Sequence, residues 1–128
     1  RFLHIHKFVS PEKLSYEISK YDFGLYFPRF TKYALKEAIK FASGNKLASY
    51  LEAGIPVIVN KYNENSSRLV IKNKIGIATN SLKNIKSRIK KIDYSQMVKN
   101  ILSFREKNSM ENHTQEIINF IDNLSNSS

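Results

Sequence analysis

The chain has no cysteine among its 128 residues, and only four glycines and three prolines. Without cysteine it can form neither a disulfide nor a thiolate metal site. No apolar run approaches the roughly 20 residues that a membrane-spanning helix needs. No secretory leader is visible, so a cytoplasmic location is expected. The few glycines do not form the frame of a dinucleotide fingerprint or a P-loop. Internal repeats, long linkers and a recognisable Ser-His-Asp arrangement are also missing. Acidic residues are scarce, 11 against 21 Lys and Arg, which leaves a formal charge of +10. That balance favours anionic partners, such as nucleotides, nucleic acid or an anionic membrane surface, or else reflects a lysine-rich solvated surface.

Apolar residues make up 41% of the chain and charged residues 25%, the proportions of an ordinary globular domain with one core. Residues 2–6 are apolar and β-tolerant and predict a first strand. Ser10, Pro11 and Glu12 supply an N-cap, a first-turn proline and an acidic first turn, so a helix is expected over 11–20. Residues 22–27 read as a second strand, stopped by Pro28. Residues 33–41 fit either a short helix or a loop. Leu47, Tyr50 and Leu51 have helical spacing, with Gly54 placed to end that helix and Pro56 to prevent its continuation. The run 56–59 is continuously apolar and β-branched, the pattern of a strand buried on both faces of a parallel sheet. Asn65, Ser66 and Ser67 are candidate caps for a helix reaching Asn73, followed by a short strand over 75–78. Ser81 is expected to cap a basic helix over 82–91, with two more helices near 94–107 and 110–124. Strands alternating with helices give an α/β class: a partial Rossmann-like parallel sheet, flanking helices and a helical C-terminus. On this reading residues 1–80 form a half domain and residues 81–128 add its C-terminal helices.

Ligands of open parallel sheets bind beyond the carboxyl ends of the strands. Three segments fall there: 7–11, 28–46 and 60–67. The sharpest is the helix start at Gly44, Asn45 and Lys46. A helix N-terminus offers unpaired N–H groups and a positive dipole end, glycine permits close backbone approach, and a first-turn lysine adds charge. That combination suits a diphosphate. His4 and His6 lie two apart on one strand, without further ligands in reach, so no metal is expected; His113 is expected on a helix surface. Glu37 and Glu52 are carboxylates near the site, but spacing alone assigns neither an acid–base role. Lys83, Lys86, Arg88, Lys90 and Lys91 oppose Ile85, Ile89 and Ile92 on a surface helix that would alternatively suit anionic lipid or nucleic acid.

Residues 45–59 resemble the Pro-x-Lys-Leu-x-x-Tyr-Leu-Ala-Ala-Gly-x-Pro-Val-Ile signature of GT-B glycosyltransferases. Residues 8–14 resemble the family's strand-to-helix turn, residues 21–25 its Ala-Asp-x-Gly-Leu strand, and residues 67–77 its last helix and strand. The nearest subgroup is the bacterial glucosyl- and galactofuranosyltransferases of surface-glycan synthesis, including the adhesin glucosyltransferases. The resemblance implies a C-terminal domain that binds a nucleotide-diphosphate sugar, UDP-linked, for transfer to a glycan or glycoprotein acceptor. Peripheral contact with an anionic membrane is a further expectation, and on this reading no nucleic-acid partner is expected. It implies no resident cofactor and no catalytic residue in this part of the protein. Lys46 matches the lysine that contacts the diphosphate, with Gly44, Asn45 and Leu47 around it. Phe8, Val9, Ser10 and Pro11 match the turn that lines the base. Departures are Gly44 in place of a proline, Ser49 in place of a glutamate that often binds ribose, and Lys7 in place of a glycine. In the family's 3-2-1-4-5-6 strand order, the first strand here corresponds to strand three. With two central strands and an acceptor domain lacking, a chain beginning at Arg1 reads as a fragment expected to be inactive alone. The alternative is a non-enzymatic basic α/β module that binds nucleic acid or an acidic partner.

Overall fold

The computed structural model describes residues 5–28, 40 and 44–125. Their order is α1 (Pro11–Ile18), β1 (Gly24–Tyr26), α2 (Asn45–Glu52), β2 (Val57–Asn60), α3 (Glu64–Asn73), β3 (Gly76–Thr79), α4 (Ile85–Ile89), α5 (Tyr94–Lys107) and α6 (Met110–Ser125). The three strands form one parallel sheet in the order β1-β2-β3. Gly24 lies opposite Val57, and Val57 opposite Gly76. This is the adjacency expected of the last three strands in a six-stranded doubly wound order.

Burial explains why β2 is central. Val57, Ile58 and Val59 are all buried, so neither face of the strand meets water. Leu47 and Leu51 of α2, Val70 of α3, Ile75, Ala78 of β3 and Ile101 of α5 close the core around it. Each buried Leu, Ile or Val side chain among them contributes about 1.5–3 kcal/mol by leaving water. Asn100 ties α5 to the sheet side by donating to the Lys74 carbonyl at 3.0 Å. Phe23 meets Tyr94 edge to face at 5.6 Å between ring centres. Burial, and then the neighbouring Asp22 charge, raise the Tyr94 phenol above its usual range.

One device is used twice to turn a helix into a strand. At the end of α2, Gly54 adopts φ 79°. Its N–H reaches the Leu51 carbonyl at 3.1 Å, and the Ile55 N–H reaches Tyr50 at 3.1 Å. At the end of α3, Lys74 adopts φ 54°, and the Lys74 and Ile75 N–H groups reach the Ile71 and Val70 carbonyls, both at 3.2 Å. Both are Schellman closures, and each drops a buried isoleucine into the interior, Ile55 two residues before β2 and Ile75 directly before β3.

Four expectations change. Ile5 and His6 are not in a strand, and residues 2–4 lie outside the described residues. No described strand runs along the outer edge of β1, so Ile5 has no ladder to join and is 90% exposed. Helix α1 stops at Ile18, where the N–H of Ser19 closes onto Ser15. The cap of α3 is Asn63, earlier than expected: its side-chain oxygen accepts from the Ser66 N–H at 2.9 Å. Ser81 caps no helix; its hydroxyl accepts from the Lys83 N–H at 3.2 Å in a turn, and the basic helix shrinks to Ile85–Ile89. Like charges on successive turns, Lys83 with Lys86 and Lys86 with Lys90, weaken a longer helix by about 0.2–0.5 kcal/mol per pair. The 33–41 segment lies outside the described residues, apart from Lys40.

Asn63 is fully buried as well as a cap. Asn63→Ala is expected to cost about 1–2 kcal/mol, because it strands the Ser66 N–H without its acceptor. A urea denaturation midpoint equal to the parent's would refute this role.

Candidate functional site

The carboxyl end of β1 and the start of α2 enclose a cleft of about 570 Å³. Tyr26, Phe27 and Pro28 form one wall, and Gly44, Asn45 and Lys46 the other. The sequence places the two walls together for local reasons. Pro28 stands two residues beyond the end of the strand. Leu47 and Leu51 anchor α2 in the core, which fixes its first turn at the sheet edge. Gly44 is the N-cap and has extended backbone. It lets the Tyr26 phenol lie close, since a Cβ there would come within 2.6 Å of the Tyr26 hydroxyl oxygen.

Among the described residues no side chain caps α2. The Leu47 N–H closes onto the Gly44 carbonyl at 2.9 Å, while the Asn45 and Lys46 N–H groups have no side-chain acceptor of the kind that Asn63 gives α3 and Asp93 gives α5. Asn45 and Lys46 are exposed, so their donors and the ammonium open to solvent at the cleft. Such an arrangement can hold a small anion with more than one oxygen.

The expected site residues divide clearly. Gly44, Asn45 and Lys46 meet in the cleft. Leu47 is buried beneath it. The Ser49 hydroxyl turns back along the helix to the Asn45 carbonyl at 3.1 Å. Phe8 is 93% exposed, Val9 and Ser10 are half-buried, Pro11 opens α1, and none of the four lines this cleft. The aromatic wall of Tyr26 and Phe27 is a feature that sequence reasoning did not single out. Its signal was the position of these residues, at the carboxyl end of a strand and just before a proline. A second cleft of about 550 Å³ opens beyond β2 and β3, between Lys40, Asn60, Lys61, Tyr62, Glu64 and Asn80. Lys40 pairs there with Glu64 at 3.2 Å.

The other candidates are occupied locally. His6 hydrogen-bonds to Tyr21, and the rings meet edge to face at 5.8 Å. His113 pairs with Glu116 at 3.1 Å on α6. His4 and Glu37 lie outside the described residues. Among the described residues no three His, Asp or Glu side chains converge on a metal position, and no helix is long and apolar enough to cross a membrane.

Residues 1–121 match the family model for the glucosyltransferase 3-like, C-terminal domain. The chain belongs to that family. A search of curated proteins found no match. The match runs through every element from α1 to α5 and most of α6. The cleft at Gly44–Lys46 is thus part of a glycosyltransferase-related domain. Both walls of the cleft fall inside the glucosyltransferase 3-like match.

Proposed function

We propose that this glucosyltransferase 3-like domain is the donor-binding half of a GT-B-type enzyme. On this reading it holds the diphosphate of a nucleotide-diphosphate sugar, UDP-linked, at the start of α2. The observation that carries the reading is the meeting of Gly44, Asn45 and Lys46 in one cleft at the carboxyl end of a parallel strand. The first-turn N–H groups and the Lys46 ammonium donate to phosphate oxygens, while Tyr26 and Phe27 exclude water from the opposite side. Donors fixed in advance stabilise the charge that develops on the leaving diphosphate when the sugar departs. The acceptor is a glycan or glycoprotein of surface-polysaccharide synthesis, and the group that activates it comes from outside the cleft. The enzyme works in the cytoplasm, with the basic α4 region touching an anionic membrane peripherally.

The test is equilibrium titration of the full chain with nucleoside diphosphates, nucleoside monophosphates and a polynucleotide. The diphosphates are expected to bind at least tenfold more tightly than the monophosphates, a difference of about 1.4 kcal/mol. Amide shifts should centre on residues 44–47. Binding of the polynucleotide alone, with a steep loss of affinity on adding salt, would favour the basic binding module instead.

A further inference from the structure

Strand β3 ends the sheet, and its outer side meets no other strand among the described residues. The ladder fixes which backbone groups face outward. The Val57 N–H reaches the Ile75 carbonyl at 3.2 Å, and the Lys61 N–H reaches the Thr79 carbonyl at 3.1 Å. Residues 75, 77 and 79 therefore turn toward β2, and Gly76 and Ala78 turn away from it. Side chains hold the two ends of this outer row. Asn100 of α5 donates to the Lys74 carbonyl at 3.0 Å, and Arg88 of α4 donates to the Ala78 carbonyl at 3.2 Å. Between them, the N–H and C=O of Gly76 and the N–H of Ala78 have no partner among the described residues. Such a row on an edge strand is a template for another extended chain.

These groups open into a groove of about 640 Å³, with Val70, Ile77 and Met97 among its apolar lining. Its charge is one-sided. Lys61, Lys74, Arg88 and Lys91 line it against the carboxylate of Asp93, four cations to one anion, a formal +3. All four cations are exposed, and none has a carboxylate within ion-pair distance among the described residues. The Asp93 carboxylate is already engaged as the cap of α5, accepting from the Gln96 N–H at 2.9 Å.

We propose that the outer edge of β3 docks an acidic, extended segment of another protein as an added strand. The open backbone groups select the conformation. In a parallel ladder one residue of the segment donates its N–H to the Gly76 carbonyl and accepts the Ala78 N–H on its own carbonyl. A helix cannot do this, because its N–H and C=O groups are spent within it. The four cations select the charge. Side chains of the segment alternate between faces, so apolar residues lie on the groove floor and acidic ones reach the lysines. A second copy of this chain is a poor occupant, since two such edges bring +3 against +3. The inference does not rest on a nucleotide bound at the start of α2.

The probe is a fluorescein-labelled peptide of about eight alternating valines and glutamates, an ordinary strand length, titrated into the full chain. Replacing its glutamates with lysine removes the charge match. Replacing its valines with proline keeps the charge and removes backbone donors. Each change is expected to weaken binding at least tenfold. The amide signals of Gly76 and Ala78 should shift and exchange more slowly with solvent as the glutamate peptide is added. Lys61→Glu/Lys91→Glu changes two exposed positions and should weaken binding at least tenfold, with an unchanged unfolding midpoint. No binding at about 1 mM peptide would overturn the proposal, and so would equal binding of the proline version. A polynucleotide or a phosphatidylserine vesicle that shifts the Gly76 and Ala78 amides where the peptide does not would also overturn it. A nucleoside diphosphate is read at the amides of residues 44–47, so the two sites fail separately.

Discussion

Replacing Gly76 with alanine is expected to destabilise the domain by about 3 kcal/mol or more, a large share of the roughly 5–15 kcal/mol that holds a domain of this size together. Gly76 pairs with Val57 at the first register position between β3 and β2. A Cβ at Gly76 would overlap the Val57 carbonyl oxygen, and it would lie 2.9 Å from both the carbonyl carbon and the nitrogen of the same residue. These are backbone atoms of Val57, which is fully buried in the central strand, so no rotamer change relieves the clash. The strands must separate, and the Val57 N–H bond to the Ile75 carbonyl, 3.2 Å long, goes with them. Gly44→Ala is the control. There the obstacle is the distal end of the Tyr26 side chain, 2.6 Å away, which can swing aside. Its cost should stay near 1 kcal/mol, within the usual range for a tolerated small-to-large change. Chemical denaturation of both variants decides the matter, and equal midpoints would refute the steric argument.

The same contrast shows what the sequence made legible. Val57 to Val59, the helix at Leu47 and Leu51, and the glycine stop at Gly54 could all be read in advance, because periodicity and a φ-permissive residue act locally. The end of α3 at Asn73 was also legible, but the left-handed turn at Lys74 that makes it was not. A lysine at φ 54° is held there by Ile75, whose burial drives the turn, and burial is a tertiary fact. The cap at Asn63 was obscured by Asn65, Ser66 and Ser67, all good capping residues, so composition could not choose among them. The expected strand at 2–6 fails at Ile5 and His6 for the opposite reason. Its residue types suit a strand, but a strand exists only where a neighbour completes its ladder. For the cleft, the lysine and glycine were visible as a helix start. Tyr26 and Phe27 joined them only when parallel pairing brought the end of β1 beside α2.

Lys46→Ala is expected to lower kcat/KM for the nucleotide sugar at least tenfold in the full-length enzyme, a loss of about 1.4 kcal/mol of transition-state stabilisation. Among the described residues no carboxylate lies within ion-pair distance of Lys46, and it is exposed at the cleft, so its removal leaves the core intact. Any loss of rate is therefore a loss at the site. The ammonium acts most strongly where negative charge grows, on the leaving diphosphate, so kcat should fall more than KM rises. Lys46→Arg keeps the charge but spreads it over a planar fork, and should recover only part of the rate. Lys72→Ala removes an equal charge from the far end of α3 and should leave the kinetics unchanged. Similar losses from Lys46→Ala and Lys72→Ala would mean that the +10 charge of the whole chain attracts the donor. In that case Gly44, Asn45 and Lys46 would be an ordinary helix start, and the cleft between them and Tyr26 would not be the donor site.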